Sequence, residues 1–140
     1  MGIREEIISR SLCVFHMSSG SCNNCDIEII DCLTQRYDLE RFGVTLVGSI
    51  RHADVLLCTG YANRMCAQRI KALYESMPKP GFVIAWGACG SSRGLFKDSY
   101  NTTVPLDELI QVDAYVPGCP PKPEAVIACL ARFAKKIRGR

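Results

Sequence analysis

Five short runs of apolar, often β-branched residues are the feature of this sequence that most constrains its fold. The runs are continuous and do not alternate with polar residues, which is typical of strands covered by other elements on both faces. They predict four or five such strands, at Leu12–Met17, Val44–Val47, Asp54–Cys58, Phe82–Trp86 and Ala114–Val116.

Amphipathic segments lie between these runs and predict three helices, at Asp26–Tyr37, Arg64–Met77 and Lys122–Arg138. The alternation of strand and helix indicates an α/β protein with a parallel sheet wrapped by helices. A chain of 140 residues suits one domain, so residues 1–140 are predicted to form a single unit. The segment Gly87–Leu109 breaks the alternation, and its glycine and serine content predicts a long loop.

The chain contains nine cysteines, an odd number that cannot all pair. No run approaches the length of a membrane span, and the charged residues 1–10 do not resemble a signal peptide, which predicts a cytoplasmic location. Thiols are kept reduced in the cytoplasm. Metal or redox chemistry is therefore expected for some of the cysteines, and burial as small apolar residues for the others.

Four of the cysteines follow the predicted strands. Cys22 and Cys25 come after the first run, Cys89 after the fourth and Cys119 after the fifth. Because functional crevices of such sheets lie beyond the carboxyl ends of the strands, these loops are expected to converge on one site. The other five fall inside predicted strands or helices and are interpreted as core or helix-face residues: Cys13, Cys32, Cys58, Cys66 and Cys129.

Four thiolates suit either zinc or an iron–sulfur cluster. Cys22 and Cys25 form a close pair, but Cys89 and Cys119 stand alone, which favours a larger cluster spanned by several loops over a zinc knuckle. Glycines beside all these loops would let backbone N–H groups approach the sulfides. The spacing leaves a structural zinc protein open as an alternative.

Two other features are weaker candidates for function. His16 lies in an apolar strand and is predicted to be a hydrogen-bonded core histidine. Asp26, Glu28 and Asp31 are predicted to be a charge group that favours the start of a helix. Phosphate-binding loops, dinucleotide fingerprints and nucleophile elbows are absent from the sequence.

With these residues in view, the chain resembles the small subunit of energy-converting, membrane-bound [NiFe] hydrogenases, a family related to the 20-kDa cluster-bearing subunit of complex I. The resemblance covers nearly the whole chain. It is carried by the stretches Gly20–Glu28, Gly87–Cys89, Gly94–Phe96, Ser99–Tyr100 and Asp113–Ala125, of which Pro117-Gly118-Cys119-Pro120-Pro121 is the most specific.

The resemblance implies a flavodoxin-like, doubly wound sheet and one proximal [4Fe–4S] cluster held by Cys22, Cys25, Cys89 and Cys119. It implies that the cluster relays electrons between a ferredoxin-type iron–sulfur subunit and the [NiFe] large subunit, with no bond chemistry on this chain. In complex I the first two ligands are adjacent cysteines. The separation of Cys22 from Cys25 therefore favours the hydrogenase branch.

The resemblance also implies partners and a location. Integral membrane subunits would hold the chain at the cytoplasmic face of the membrane, and no nucleic acid is expected. The equivalent subunit of a quinone or sulfur-compound oxidoreductase stays open as an alternative. The family usually has glycine where this chain has Asn24, which bears on the final electron acceptor.

Overall fold

A computed structural model describes residues 10–102 and 104–138 of the chain. In these residues five parallel strands form one sheet in the order β2-β1-β3-β4-β5. This is the strand order of flavodoxin-like doubly wound sheets, so the predicted fold class is confirmed. The strands are β1 (Leu12–Ser18), β2 (Val44–Leu46), β3 (Val55–Thr59), β4 (Phe82–Trp86) and β5 (Ala114–Val116).

The helices cover both faces of the sheet, since two separate groups of buried side chains pack against it. One group joins α1 and α5 to the sheet, and the other joins α2 and α4 to the opposite face. Every residue of β3 is buried, which explains why its sequence is continuously apolar. The helices are α1 (Asn24–Cys32), α2 (Arg64–Ser76), α3 (Gly87–Ser92), α4 (Leu106–Leu109) and α5 (Pro123–Arg138).

All five predicted strands are present, within one or two residues of their predicted bounds. The first predicted helix is too long, because α1 ends at Cys32 and not at Tyr37. The hydroxyl of Thr34 donates to the carbonyl of Asp31 at 2.7 Å, and such local hydrogen bonds compete with helix continuation. A turn closed by the N–H of Asp38 on the Thr34 carbonyl follows.

The prediction of a long loop at Gly87–Leu109 is wrong. The segment contains α3, α4 and a short 3-10 helix at Gly94–Phe96. In α3 the hydroxyls of Ser91 and Ser92 donate to carbonyls one turn earlier, so residues that are typical of loops are accommodated in a helix. These helices are too short to show an apolar period in the sequence.

The cysteines outside the predicted site lie where the sequence placed them, Cys13 and Cys58 in strands and the other three in helices. Residues 1–9, on which most of the signal-peptide prediction depends, are outside the described residues. Within the described part of the chain no helix is both long and apolar enough to cross a membrane.

Candidate metal centre

The loop between β1 and α1 carries the first two cysteines of the predicted site. Cys22 is exposed in the loop, and Cys25 is buried in the first turn of α1. The loop packs closely on the loop that follows β3. There Gly60 has a φ of +80°, and a Cβ atom at this position would overlap the backbone nitrogen of Ser21. Backbone contacts between two strand-end loops therefore position Cys22.

The other two cysteines follow β4 and β5. Cys89 is half-buried in α3, and Cys119 is exposed in the loop before α5. The two segments are joined by a hydrogen bond in which the N–H of Ala88 donates to the carbonyl of Gly118 at 2.7 Å. The residues next to Cys89 and Cys119 are thus held together by backbone groups.

Two glycines lie against the sulfur atoms. A Cβ atom on Gly87, whose φ is +81°, would stand 3.1 Å from the Sγ of Cys25. A Cβ atom on Gly94 would stand 3.4 Å from the Sγ of Cys89. The absence of side chains at these positions leaves the backbone next to the cysteine sulfur atoms. The approach of backbone N–H groups to cluster sulfides stays a prediction.

The four thiols are close enough to act on one another electrostatically. Burial raises the pKa of the Cys25 thiol to about 11, and further increases come from Cys22, Cys89, Asp26 and Cys119. Burial also raises the pKa of Cys89, followed by the effects of Cys119 and Cys22. The structure therefore brings together the four cysteines selected from the sequence. Their role as ligands stays a prediction.

The donor set suits a polynuclear centre. Among residues 10–102 and 104–138 no group of three or more His, Cys, Asp or Glu side chains forms a site that could hold a metal ion. Four thiolates around one zinc ion would have to meet about 2.3 Å from a single point. In a [4Fe–4S] cluster each thiolate binds a different iron, so the sulfurs stand farther apart. Four neighbouring thiols match the ligand set of such a cluster, and the structural zinc alternative stays open.

A hydrogen-bonded group of three side chains adjoins Cys25. His16 lies 3.0 Å from the hydroxyl of Thr59 and 2.9 Å from the carboxylate of Asp26, which confirms the predicted hydrogen bonding. The predicted core position is wrong, because the side chain is 23% exposed and belongs to neither group of buried side chains. Of the three acidic residues predicted to favour the helix start, only Asp26 lies in the first turn of α1. Thr59 was not singled out from the sequence, where its position at the end of β3 was the only available signal.

Residues 22–133 of the chain match the family model of the 20-kDa subunit of NADH ubiquinone oxidoreductase. A probable membrane-bound hydrogenase subunit, mbhJ, of Pyrococcus furiosus is 54% identical over 138 residues, which covers 96% of this chain and 83% of that relative.

Solved structures show a similar chain. One in the membrane-bound sulfane sulfur reductase, an archaeal respiratory membrane complex, matches with a TM-score of 0.86 and 36% identity, covering 98% of this chain and 76% of that one. A chain of an NAD⁺-reducing [NiFe]-hydrogenase in the H2-reduced state matches with a TM-score of 0.70 over 91% and 93% of the two chains. Its 19% identity bears on the fold alone.

Proposed function

Because the chain belongs to the family of the 20-kDa subunit of NADH ubiquinone oxidoreductase and its hydrogenase relatives, we propose that it is an electron-transfer subunit of an energy-converting oxidoreductase complex. Cys22, Cys25, Cys89 and Cys119 would hold one [4Fe–4S] cluster, and residues 1–140 would form a single domain around it. The proposal is carried by four thiols, from three segments that each follow a strand, that are close enough to affect one another electrostatically.

The bound cluster supplies one-electron transfer, and the protein sets its surroundings. The buried Cys25 closes the side of the site that faces the core, whereas the exposed Cys22 and Cys119 leave the other side open. Gly87 and Gly94 keep side chains away from the sulfur atoms. Because the thiols of Cys25 and Cys89 have raised pKa values, binding of the metal must displace their protons.

Electrons would run between a ferredoxin-type iron–sulfur subunit and the [NiFe] large subunit, with the chain held at the cytoplasmic face of the membrane by integral membrane subunits. The identity of 54% with the hydrogenase subunit and the separation of Cys22 from Cys25 support this assignment. We assign the bond chemistry to the large subunit and the electron relay to this chain.

Metal and sulfide analysis of the purified complex tests the cofactor. We expect this subunit to account for about four irons and four acid-labile sulfides, with an electron paramagnetic resonance (EPR) signal on reduction. Zinc bound without sulfide would exclude the cluster and support the structural zinc alternative.

The variant Cys119→Ser tests the ligand set, because an exposed cysteine can be replaced without opening the core. We expect ferredoxin-linked electron transfer to be abolished while the metal centre of the large subunit still assembles. Cys66→Ser is the matched control, since Cys66 lies half-buried in α2 outside the site, and should retain activity. Full activity of the Cys119 variant would show that Cys119 is not a ligand.

A second candidate is the equivalent subunit of a complex that reduces sulfur compounds. The match to the sulfane sulfur reductase chain at 36% identity favours it. Both candidates give this chain the same relay function and differ in the large subunit. Isolation of the intact complex and measurement of nickel in the large subunit will distinguish them, because only the hydrogenase requires nickel there.

A further inference from the structure

Three hydrogen-bonded side chains connect the ends of two central strands to the helix that carries Cys25. His16 lies near the end of β1, Thr59 is the last residue of β3, and Asp26 directly follows Cys25 in α1. Since β1 and β3 are neighbouring strands, this group joins the centre of the sheet to the first turn of α1.

The hydrogen bonds converge on one oxygen atom. The hydroxyl of Thr59 donates to Oδ1 of Asp26 at 2.7 Å, and Nε2 of His16 lies 2.9 Å from the same oxygen. An ionised carboxylate can only accept, so the Nε2 atom that faces Asp26 must carry the proton. The negative charge of Asp26 is therefore held at a fixed place by two donors from two strands.

The surroundings of the group restrict its movement. Thr59 is fully buried, and the side chains of His16 and Asp26 are 23% and 17% exposed. The carbonyl of Thr59 also accepts hydrogen bonds from the N–H and the hydroxyl of Ser19, at 2.9 and 2.8 Å. Thr59 thus holds the chain on both sides of the paired cysteines, through Ser19 ahead of Cys22 and through Asp26 after Cys25.

The charge of Asp26 acts on the site itself. Asp26 directly follows Cys25 in the first turn of α1, so its carboxylate lies beside one of the proposed ligands. A cluster gains one negative charge when it is reduced. A fixed carboxylate beside one of its ligands disfavours that gain for the same electrostatic reason.

We propose that Asp26, held by His16 and Thr59, is a positioning residue that orients Cys25 and keeps the reduction potential of the cluster low. The inference rests on the proposed function, because it requires a cluster bound through Cys25. A purely structural role of the group would predict a loss of stability with no change in potential.

The variant Asp26→Asn in the intact complex tests the charge, because it keeps the size of the side chain and an oxygen that can accept from Thr59. At an ambient potential equal to the wild-type midpoint we expect the ratio of reduced to oxidised cluster to rise about tenfold, which is a shift of about 59 mV for one electron. The measurement is a redox titration followed by EPR.

Asp113→Asn is the matched control. Asp113 also has a hydrogen-bonded carboxylate, which accepts from the N–H of Val83 at 2.9 Å. It lies just before β5, at the amino-terminal end of the strands and so away from the cysteines. Its substitution should leave the midpoint unchanged. An unchanged midpoint in Asp26→Asn with the cluster present, or an equal shift in both variants, would overturn the proposal.

A second pair of variants tests the positioning without removing the charge. Thr59→Val removes the hydroxyl with little change in shape, and we expect an altered EPR spectrum. Thr59→Ser restores the hydroxyl and should restore the spectrum. If Asp26→Asn binds no cluster, the two Thr59 variants test the proposal in its place. An unaltered EPR spectrum in Thr59→Val would contradict the proposal. Absence of iron, sulfide and signal in the wild-type complex would instead contradict the proposed function.

Discussion

At the scale of single residues, Gly87 lies between two segments of the site, the one that carries Cys25 and the one that carries Gly118. Its φ of +81° lies in the left-handed region, and a Cβ atom there would stand 3.1 Å from the Sγ of Cys25 and 3.5 Å from the carbonyl of Gly118. A side chain at this position would meet both the sulfur of one loop and the backbone of another. The conformation therefore favours glycine, and the tight contact with the sulfur of Cys25 adds to this preference.

Gly87→Ala should lower the amount of iron and sulfide bound to the purified complex and destabilise the fold by about 1–2 kcal/mol, because alanine disfavours this φ. Gly48→Ala is the control, since Gly48 is exposed and a Cβ atom there would meet nothing within 4 Å. The control should keep its iron and change the stability by less than about 1 kcal/mol. Equal iron in the two variants would contradict the role given to Gly87.

The residues of the site differ in how far the sequence could predict them. Cys22, Cys25, Cys89 and Cys119 could be selected because strand ends of a parallel sheet meet at one edge. Thr59 could not, because its role depends on its contact with Asp26, which is distant in sequence. A threonine at the end of a strand has no property that distinguishes it until the fold is known.

At the scale of elements, the central strand β3 contains a buried ionisable group, the thiol of Cys58. Burial raises the pKa of the Cys58 thiol in this strand from the ordinary 9.0 to about 12. Because the pKa is higher in the folded state, the contribution of Cys58 to the free energy of unfolding is fully present below about pH 9. This contribution is lost as pH rises toward 12, since the unfolded chain releases the proton first. A pH above about 9 is therefore expected to destabilise the centre of the sheet.

Cys58→Ala should remove part of this pH dependence. The variant will be less stable at neutral pH, because a small cavity forms in the core. Its free energy of unfolding should then fall less steeply than that of the wild type above about pH 9. Denaturant titrations across this range measure both slopes, and equal slopes would show that Cys58 does not contribute.

The elements also show what a sequence pattern can and cannot reveal. The strands were predicted because continuous apolar runs follow directly from burial on both faces. The helix α3 was missed because it is held by its surroundings and not by its composition. A Cβ atom on Gly90 would lie 3.5 Å from the backbone of both Ala85 and Cys58, so this helix packs directly on β3 and β4.

At the scale of the whole molecule, apolar side chains are exposed near the site. Ile27 and Ile30 of α1 and Leu33, which follows α1, are 54%, 65% and 37% exposed, and Leu95, next to Gly94, is 97% exposed. Ile27 and Ile30 lie one helical turn apart on α1, and neighbouring exposed apolar side chains are typical of a surface that a partner covers. They support the proposal that this chain works inside a complex.

Ile30→Lys should reduce recovery of the large subunit with this chain by about tenfold, equivalent to about 1.4 kcal/mol of binding. The stability of the chain itself should change little, because the residue is already exposed. Phe42→Lys is the matched control. Phe42 is 53% exposed and lies just before β2, at the amino-terminal end of the strands. Its substitution should leave recovery of the large subunit unchanged. Equal recovery of the large subunit with both variants would show that it does not bind at Ile30.

The architecture as a whole could be predicted, since the alternation of strands and helices and the resemblance indicate the same doubly wound sheet. The identity of the surface that a partner covers could not. Ile27 and Ile30 belong to a segment predicted to be an amphipathic helix, and only the packed structure shows that the sheet does not cover them.

The hydrogen bond between Ala88 and Gly118 has a consequence for how the subunit is made. It joins two strand-end loops through the backbone alone, as the contact of Gly60 with Ser21 does for the other pair. The pocket can therefore form before iron arrives, unlike that of a zinc finger, which folds only around its metal.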